Sequence, residues 1–473
     1  MKRISLVITL PLICSALLAC STSAKKEGPK PGTGYVQKGN GSFKLQPYKE
    51  VTLENGLKII YIHDASLPRV SFTLLLKTGN MQETASKAGL NALTAYMLEQ
   101  GTQTRDALKI ADDFGQLGAG MDVSPGYDVT TLYSDSLITS SGTLLELFAD
   151  VAMNPAFKDA EINRIRSQML ANLQKKIDNP SAFADDKMDQ FLYGNHPYSR
   201  DVNGTPEALR GITKQDIIKH YLTFYRPNNA SLAVVGSFNA DFEKAVQDVF
   251  AKWTKRTIPE VATEAAPAIE GLKVKLIVKK GLQQTQIRVA QLGIDRKNED
   301  YLRLRLSNES LGGGFASRLN QKVRDDLGLT YSIYSFFDVR KDRGSFEIST
   351  FTKNETAGKT LEETLKVVSD YVTGGAQEPE VAAARNQLIG QFPRAIETAD
   401  RLAYNLLSLD FYGIPVDYLT DFNKNVGKIK VSDSNAAIQR ALGAGGFKVL
   451  VYGDEKIISQ FEKYKPEIQK LVP

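Results

Sequence analysis

Cysteine is nearly absent from this chain, since both of its cysteines, Cys14 and Cys20, lie close to the N-terminus. The rest of the chain can therefore form no disulfide and offers no cysteine nucleophile. Its stability has to come from the burial of apolar side chains. A chain of 473 residues is long enough for two or more hydrophobic cores.

Histidine is also scarce: the chain has three, His63, His196 and His220. No two of them stand three or four residues apart, the spacing that places two metal ligands on one face of a helix. The same scarcity argues against a Ser-His-Asp triad, and no nucleophile-elbow pattern is present. We interpret His196, which lies in the run Asn-His-Pro-Tyr, as a structural residue.

A strong excess of one charge is missing too. The chain has 59 Lys and Arg against 54 Asp and Glu, a formal net charge of +5. No run rich in Lys and Arg stands out, so we predict no nucleic-acid partner. The three glycines at 312–314 follow a predicted helix and lack the Lys-Ser/Thr ending of a phosphate-binding loop, which favours a flexible or close-packed backbone there.

The N-terminus has the pattern of a secretory signal, with Met-Lys-Arg before an apolar stretch shorter than the roughly 20 residues that cross a membrane. Leu-Leu-Ala-Cys at 17–20 resembles a bacterial lipobox, which predicts lipid on Cys20 as the sole membrane attachment. An ordinary signal peptide that ends in cysteine is the alternative. Ser21 is consistent with an outer-membrane lipoprotein of a Gram-negative cell envelope, facing the periplasm.

The rest of the chain divides into two halves with the same order of elements. A β-hairpin is predicted around Asn55 and Gly56, and the two halves close alike, on apolar strands that meet Gly236 and Gly453. We predict an α+β fold in which each half is a mainly antiparallel sheet with helices on one face; two unrelated α+β domains are the alternative. The predicted segments are a signal peptide at 1–20, a flexible leash at 21–45, an N-terminal domain at 46–257, a linker at 258–271 and a C-terminal domain at 272–473.

Five stretches resemble the insulinase and mitochondrial-processing-peptidase family of zinc metallopeptidases, in the family's order and across nearly all of the chain after the signal. They are 53–57 (LENGL), 194–198 (GNHPY), 225–232 (YRPNNASL), 311–319 (LGGGFASRL) and 323–332 (VRDDLGLTYS). The resemblance implies two homologous halves that form a clam-shell.

In that family one helix carries His-x-x-Glu-His, which supplies two zinc ligands and a general base, and a later helix supplies a glutamate as third ligand. The resemblance places Ala92, Ala95 and Tyr96 at the first three positions and Asn172 at the fourth. Such side chains cannot form a catalytic zinc site, so we predict no cofactor in this chain and no peptide hydrolysis by it alone. We interpret Glu99 as a polar residue at the helix end.

The second half keeps two residues that the resemblance links to substrate. In the family an arginine and a tyrosine seven residues apart reach the zinc domain and contact the peptide near the scissile bond. Arg324 and Tyr331 have this spacing. A guanidinium and a phenol suit a peptide carbonyl or a developing oxyanion. A surface arginine and a half-buried strand tyrosine are the alternative.

These features predict a zinc-free, substrate-binding subunit of a heterodimer whose paralogous partner carries the zinc and with which it acts on peptides. The resemblance implies this arrangement, because some bacterial members of the family divide zinc and Arg/Tyr between two chains. A non-enzymatic peptide-binding or scaffold protein of the cell envelope is the main alternative. A peptidase with a relocated metal site has too few ligands available.

Overall fold

A computed structural model of the chain describes residues 35–37, 41–443 and 445–471. The predicted signal peptide, with Cys20, and most of the predicted leash lie outside the described residues. Within the described part, no helix is both long enough and apolar enough to cross a membrane.

The N-terminal half contains a six-stranded sheet with helices packed against it. A short hairpin of β1 and β2 precedes this sheet. The strands are β1 (Tyr35–Gln37), β2 (Phe43–Leu45), β3 (Tyr48–Thr52), β4 (Lys58–His63), β5 (Arg69–Leu76), β6 (Asp122–Pro125), β7 (Thr130–Leu137) and β8 (Ala230–Gly236). The helices are α1 (Leu90–Met97), α2 (Ala107–Gln116), α3 (Ser141–Met153), α4 (Asp159–Ile177), α5 (Pro180–Tyr193), α6 (Pro206–Gly211), α7 (Lys214–Phe224) and α8 (Ala240–Phe250).

The C-terminal half follows an irregular stretch, 254–271, that contains no helix or strand. Its strands are β9 (Leu272–Val278), β10 (Gln284–Leu292), β11 (Ile333–Asp338), β12 (Ser345–Lys353), β13 (Phe447–Gly453) and β14 (Glu467–Lys470). Its α-helices are α9 (Tyr301–Asn308), α10 (Ala357–Gly374), α11 (Glu378–Gln391), α12 (Ala399–Tyr412), α13 (Asp417–Thr420), α14 (Phe422–Lys428) and α15 (Val431–Leu442). Two segments are π-helical, Glu309–Gly313 and Asn320–Asp326.

The two sheets have equivalent strand orders, which confirms the predicted fold of two similar α+β halves. The order is β3-β4-β8-β5-β7-β6 in the first half and β14-β9-β13-β10-β12-β11 in the second. In both, the strand that ends at the late glycine, Gly236 or Gly453, pairs in parallel with a strand near the start of the half, β8 with β4 and β13 with β9. The three pairings from there to the far edge are antiparallel in each sheet. The sixth strand differs: β3 precedes β4 and is antiparallel to it, whereas β14 follows β13 and is parallel to β9.

The predicted hairpin around Asn55 and Gly56 joins β3 to β4. Gly56 has a φ of +90°, a left-handed conformation that favours glycine, and a Cβ there would lie 2.8 Å from that of Asn228. The amide of Asn55 donates to the backbone carbonyls of Phe250 and Trp253, at 2.8 and 2.9 Å. The turn therefore ties the start of the N-terminal half to its end.

Each sheet is covered on one face by helices of its own half, as predicted, and on the other face by a helix from the opposite half. Helix α12 lies across β8 and β5, and α5 lies across β10 and β13. Strand β8 is buried at every residue, as expected for a strand covered on both faces. This exchange of helices was not predicted. Because of it, hydrophobic clusters contain buried side chains from both halves.

The predicted leash ends before residue 45, which corrects the boundary drawn from the sequence. Phe43 is 1% exposed, and its ring centroid lies 5.5 Å from that of Phe392 in the C-terminal half. The composition of residues 21–45 indicated a flexible segment because most of these residues are polar, Gly or Pro, and the single residue Phe43 hardly changes the mean hydropathy.

Candidate functional site

Helix α1 carries three positions that the resemblance assigns to the zinc motif, Ala92, Ala95 and Tyr96, and its inner face is closed. Ala92 and Ala95 are fully buried, and Ala92 is part of the hydrophobic core of the N-terminal half. The carboxylate of Glu83 accepts the backbone N–H groups of Gly89 and Asn91 at the start of the helix, at 2.9 and 2.5 Å. Burial raises the pKa of Glu83 to about 8.

The other two positions also lack a metal-binding arrangement. The hydroxyl of Tyr96 donates to Asn203 Oδ1 at 3.1 Å, and Asn172 is exposed on α4. One turn beyond Asn172, the ammonium of Lys176 pairs with Asp201 and lies 3.7 Å from Asp186. Polar contacts between side chains therefore join α4 and α5 here. Among the residues that the structure describes, no group of three or more His, Cys, Asp or Glu could hold a metal ion.

Glu99 lies in the 3-10 turn that continues α1, at the helix end as predicted. Burial, together with the neighbouring Asp122 on β6, raises the pKa of its carboxyl to about 7. The proximity of these two carboxyl groups was missed from the sequence, because β6 follows only after helix α2.

Each of the three histidines has a protein partner. His196 Nδ1 accepts the backbone N–H of Tyr198 at 3.1 Å, and His63 Nε2 lies 2.9 Å from a carboxylate oxygen of Glu243. His220 Nε2 lies 3.1 Å from Asn91 Oδ1, and burial lowers the pKa of His220 to about 3. The interpretation of His196 as structural agrees with these contacts.

Arg324 and Tyr331 line one cleft of about 460 Å³, which we call the donor cleft, together with Gln284, Thr352 and Lys353. Arg324 lies in the second π-helical segment, a kind of irregularity that is frequent at functional sites. The structure therefore brings the two predicted residues together, although their use in binding stays a prediction.

The donors of the cleft are open to solvent. The side chain of Tyr331 is 81% exposed. The guanidinium of Arg324 lies 4.8 Å from the ring centroid of Phe315, which is itself 73% exposed, and 4.0 Å from the carboxylate of Asp325. Phe315 was missed from the sequence, where it stands beside the three glycines. The cleft can bind a carbonyl or carboxylate oxygen, and it contains no histidine that could act as a base.

The glycines at 312–314 form close-packed backbone, one of the two interpretations of their sequence. A Cβ on Gly312 would lie 2.4 Å from Ser335 Oγ, and one on Gly313 would lie 2.8 Å from the amide nitrogen of Asn308. The glycines therefore let the first π-helical segment pack against β11, the strand that follows Tyr331.

Comparison with solved structures agrees with this architecture. A crystal structure of a peptidase M16 inactive domain from Pseudomonas fluorescens matches with a TM-score of 0.80 and 28% identity, over 86% of this chain and 98% of that one. A protease from Helicobacter pylori matches with a TM-score of 0.79 and 19% identity, over 86% and 100% of the two chains. The second likeness shows the fold alone.

Sequence comparison gives the family. An uncharacterized zinc protease of Bacillus subtilis is 25% identical over 361 residues, 74% of this chain and 85% of that protein. One of Rickettsia felis is 27% identical over 337 residues, 71% and 81% of the two chains. The profile described as insulinase (peptidase family M16) matches residues 58–206, and that of the peptidase M16 inactive domain matches 211–388. The chain therefore belongs to the M16, or insulinase, family of peptidases.

Proposed function

We propose that this chain is the non-catalytic, substrate-binding subunit of a two-chain M16 peptidase. A second M16 chain supplies the zinc site, and this chain supplies Arg324 and Tyr331. One contrast carries the proposal: the face of α1 that corresponds to the zinc motif is closed by buried alanines, whereas the donor cleft is open. The chain therefore lacks zinc-binding side chains on α1 but has two hydrogen-bond donors, Arg324 and Tyr331, that suit a peptide.

The chemistry of the donor cleft fits this role. A guanidinium and a phenol can donate to a scissile carbonyl, and they stabilise the oxyanion that develops when metal-bound water attacks. Such donors act only when they are held close to that oxygen, so the two chains have to enclose one peptide. The relatives named zinc proteases are consistent with family partners that do bind the metal.

We also propose that the mature chain is a lipoprotein of the cell envelope, attached through Cys20 and facing the periplasm. The lipobox-like sequence at 17–20 and the polar residues after it support this location. Radiolabelled palmitate should be incorporated into the intact chain, and the substitution Cys20→Ser should abolish incorporation. Incorporation that survives this substitution would rule out Cys20 as the site.

The test of function uses two purified chains: this protein and an M16 chain from the same cell with an intact His-x-x-Glu-His motif. Fluorescein-labelled, reduced and carboxymethylated α-lactalbumin serves as an unfolded substrate. We expect hydrolysis from the mixture and from neither chain alone. Loss of one oxyanion donor costs about 100-fold in rate or more, so Arg324→Ala and Tyr331→Ala should each abolish most activity.

Arg343→Ala is the matched control, because Arg343 is an exposed arginine of the same half, at the far end of β11. It should leave the rate of the mixture unchanged. Chelator-sensitive hydrolysis by this chain alone, or full activity of the partner without it, would contradict the proposal. Binding of unfolded protein that both alanine variants leave intact, without a zinc-bearing partner, would favour a scaffold protein.

A further inference from the structure

The two hairpins that end the two edge strands meet each other. In the N-terminal half, β6 is the edge strand and residues 126–129 connect it to β7; in the C-terminal half, β11 is the edge strand and residues 339–344 connect it to β12. These loops are equivalent in the two halves. Arg340 of the second loop lies over the ring of Tyr127 in the first, 3.9 Å from its centroid.

Arg340 is enclosed by the N-terminal half. Its guanidinium lies 4.5 Å from the ring centroid of Tyr198 and 5.6 Å from that of Tyr193, and the residue is 8% exposed. Within its own half, it pairs with Asp338 at 2.6 Å. A cation held between aromatic rings and away from water is a strong contact, and it is directional because the guanidinium is planar.

Backbone groups beside Arg340 fix the same contact. The N–H of Lys341 donates to Asp128 Oδ2 at 3.1 Å, and the N–H of Asp342 donates to the hydroxyl of Tyr198 at 3.2 Å. The hydroxyl of Tyr198 donates in turn to Asp128 Oδ1 at 2.7 Å. We call these contacts, with those of Arg340, the hairpin joint. Tyr198, the last residue of the run Asn-His-Pro-Tyr at 195–198, therefore has a structural role: its ring and hydroxyl contact the hairpin of the opposite half.

The donor cleft lies at the other end of the same hairpin. Tyr331 precedes the first residue of β11, and its neighbours are held to β12: Thr350 Oγ1 donates to the carbonyl of Ser332 at 2.9 Å, and Thr352 Oγ1 to that of Leu329 at 2.6 Å. A strand advances about 3.3 Å per residue, so Tyr331 lies at the end of a stiff hairpin roughly 30 Å from the joint. A change of angle at the joint therefore moves the cleft.

We propose that Arg340 is a positioning residue: through the hairpin joint, the N-terminal half holds the donor cleft at the angle that peptide binding needs. This inference rests on the proposed function of the cleft. It gives a structural role to the N-terminal half, which contributes no residue to that cleft. The N-terminal half acts as a rigid support for Arg324 and Tyr331.

The test compares Arg340→Met with Arg340→Lys, which keeps the charge, and with Arg343→Met. Arg343 lies on the same loop, and its Nε donates within its own half to the carbonyl of Gly293 at 3.2 Å. Spin labels on Glu146→Cys and Lys359→Cys, in a background of Cys14→Ser and Cys20→Ser, report the distance between the halves. Fluorescence anisotropy of labelled, carboxymethylated α-lactalbumin reports binding.

We expect Arg340→Met to broaden the distance distribution and to raise the apparent dissociation constant about tenfold, because apparent affinity falls with the fraction of molecules in the competent arrangement. Arg340→Lys should recover part of both effects, and Arg343→Met should change neither. Tyr198→Phe removes the hydroxyl of the joint with little change in shape, and it replaces Arg340→Met in both measurements if that variant does not fold.

An unchanged distance distribution in Arg340→Met and Tyr198→Phe overturns the joint, whatever happens to binding. A broadened distribution with unchanged affinity overturns its link to the cleft. If the parent protein does not bind the unfolded probe, or if Arg324→Ala and Tyr331→Ala do not weaken binding, the proposed function fails instead. The distance measurement still decides whether the joint sets the angle between the halves.

Discussion

The carboxylate of Asp410 accepts a hydrogen bond from the hydroxyl of Ser231 at 2.8 Å, and the two residues belong to opposite halves of the chain. The ammonium groups of Lys58 and Lys77 lie 3.1 Å from the same carboxylate. Burial acts to raise the pKa of Asp410, but these donors together hold it below its usual range. The exchanged helix α12 is therefore held on the N-terminal sheet by a charged cluster as well as by apolar contact.

Asp410→Ala should lower the free energy of unfolding by about 2 kcal/mol, because hydrogen bonds to a charged group contribute more than neutral ones and three donors lose their acceptor. Urea denaturation followed by circular dichroism measures the change. Glu397→Ala removes an exposed carboxylate close to the start of α12 and should change the free energy by less than about 0.5 kcal/mol. Equal effects of the two substitutions would mean that the cluster does not hold the helix.

Introduction of the family's zinc-binding residues should not create a zinc site. In the combined variant Ala92→His, Ala95→Glu, Tyr96→His and Asn172→Glu, two large polar side chains replace fully buried methyl groups. Overpacking of a core costs about 1–3 kcal/mol per site, and burial of unpaired polar groups adds to this. We expect a lower melting temperature and no bound zinc by elemental analysis. Asn172→Glu alone, at an exposed position, is the control and should leave the melting temperature unchanged.

Local elements were predictable because their patterns lie within short stretches of sequence. The Asn-Gly hairpin forms as expected between β3 and β4. The repeat of strands and helices in two halves was also visible, since both halves close on an apolar strand that meets a glycine. These patterns depend on neighbours along the chain, which the sequence displays directly.

The contacts between the halves were not predictable in the same way. Arg340 is an ordinary charged residue in a loop until the fold places Tyr127 and Tyr198 beside it. The exchange of α5 and α12 was hidden for a similar reason, because each helix is amphipathic whichever sheet it covers. At the site, the seven-residue spacing of Arg324 and Tyr331 could be seen in the sequence. The burial of the inner face of α1 could not, because it depends on the packing of the whole N-terminal half.

Two carboxyl groups at the contact of α5 with the C-terminal sheet, those of the half-buried Asp189 and the buried Glu347, predict a stability that depends on pH. Burial raises the pKa of Asp189 to about 7 and that of Glu347 to about 8. Both values lie above those of the unfolded chain, so the folded protein binds more protons between pH of about 4 and 8. The free energy of unfolding should therefore fall as the pH rises through this range, by up to about 1.4 kcal/mol per pH unit for each proton.

Asp189→Asn combined with Glu347→Gln should flatten this dependence, because neither amide titrates. Urea denaturation at several pH values across the range measures the slope. Asp248→Asn, which changes an exposed carboxylate on α8, is the control and should keep the slope of the parent. A double variant with the parent's slope would show that other groups carry the effect, with the buried Glu83 as the next candidate.

The packing of Phe43 predicts that the segment before the N-terminal sheet is part of the fold and not a spacer. Its ring is buried against Phe392, which is stacked on Phe422 with centroids 3.8 Å apart. Phe43→Ala should cost about 3–5 kcal/mol, as for other buried aromatic side chains, and should speed cleavage by trypsin at the nearby Lys44. Thr52→Ala, at an exposed position on β3, is the control for stability. If Phe43→Ala is as stable as that control, these residues behave as the flexible leash that composition alone indicates.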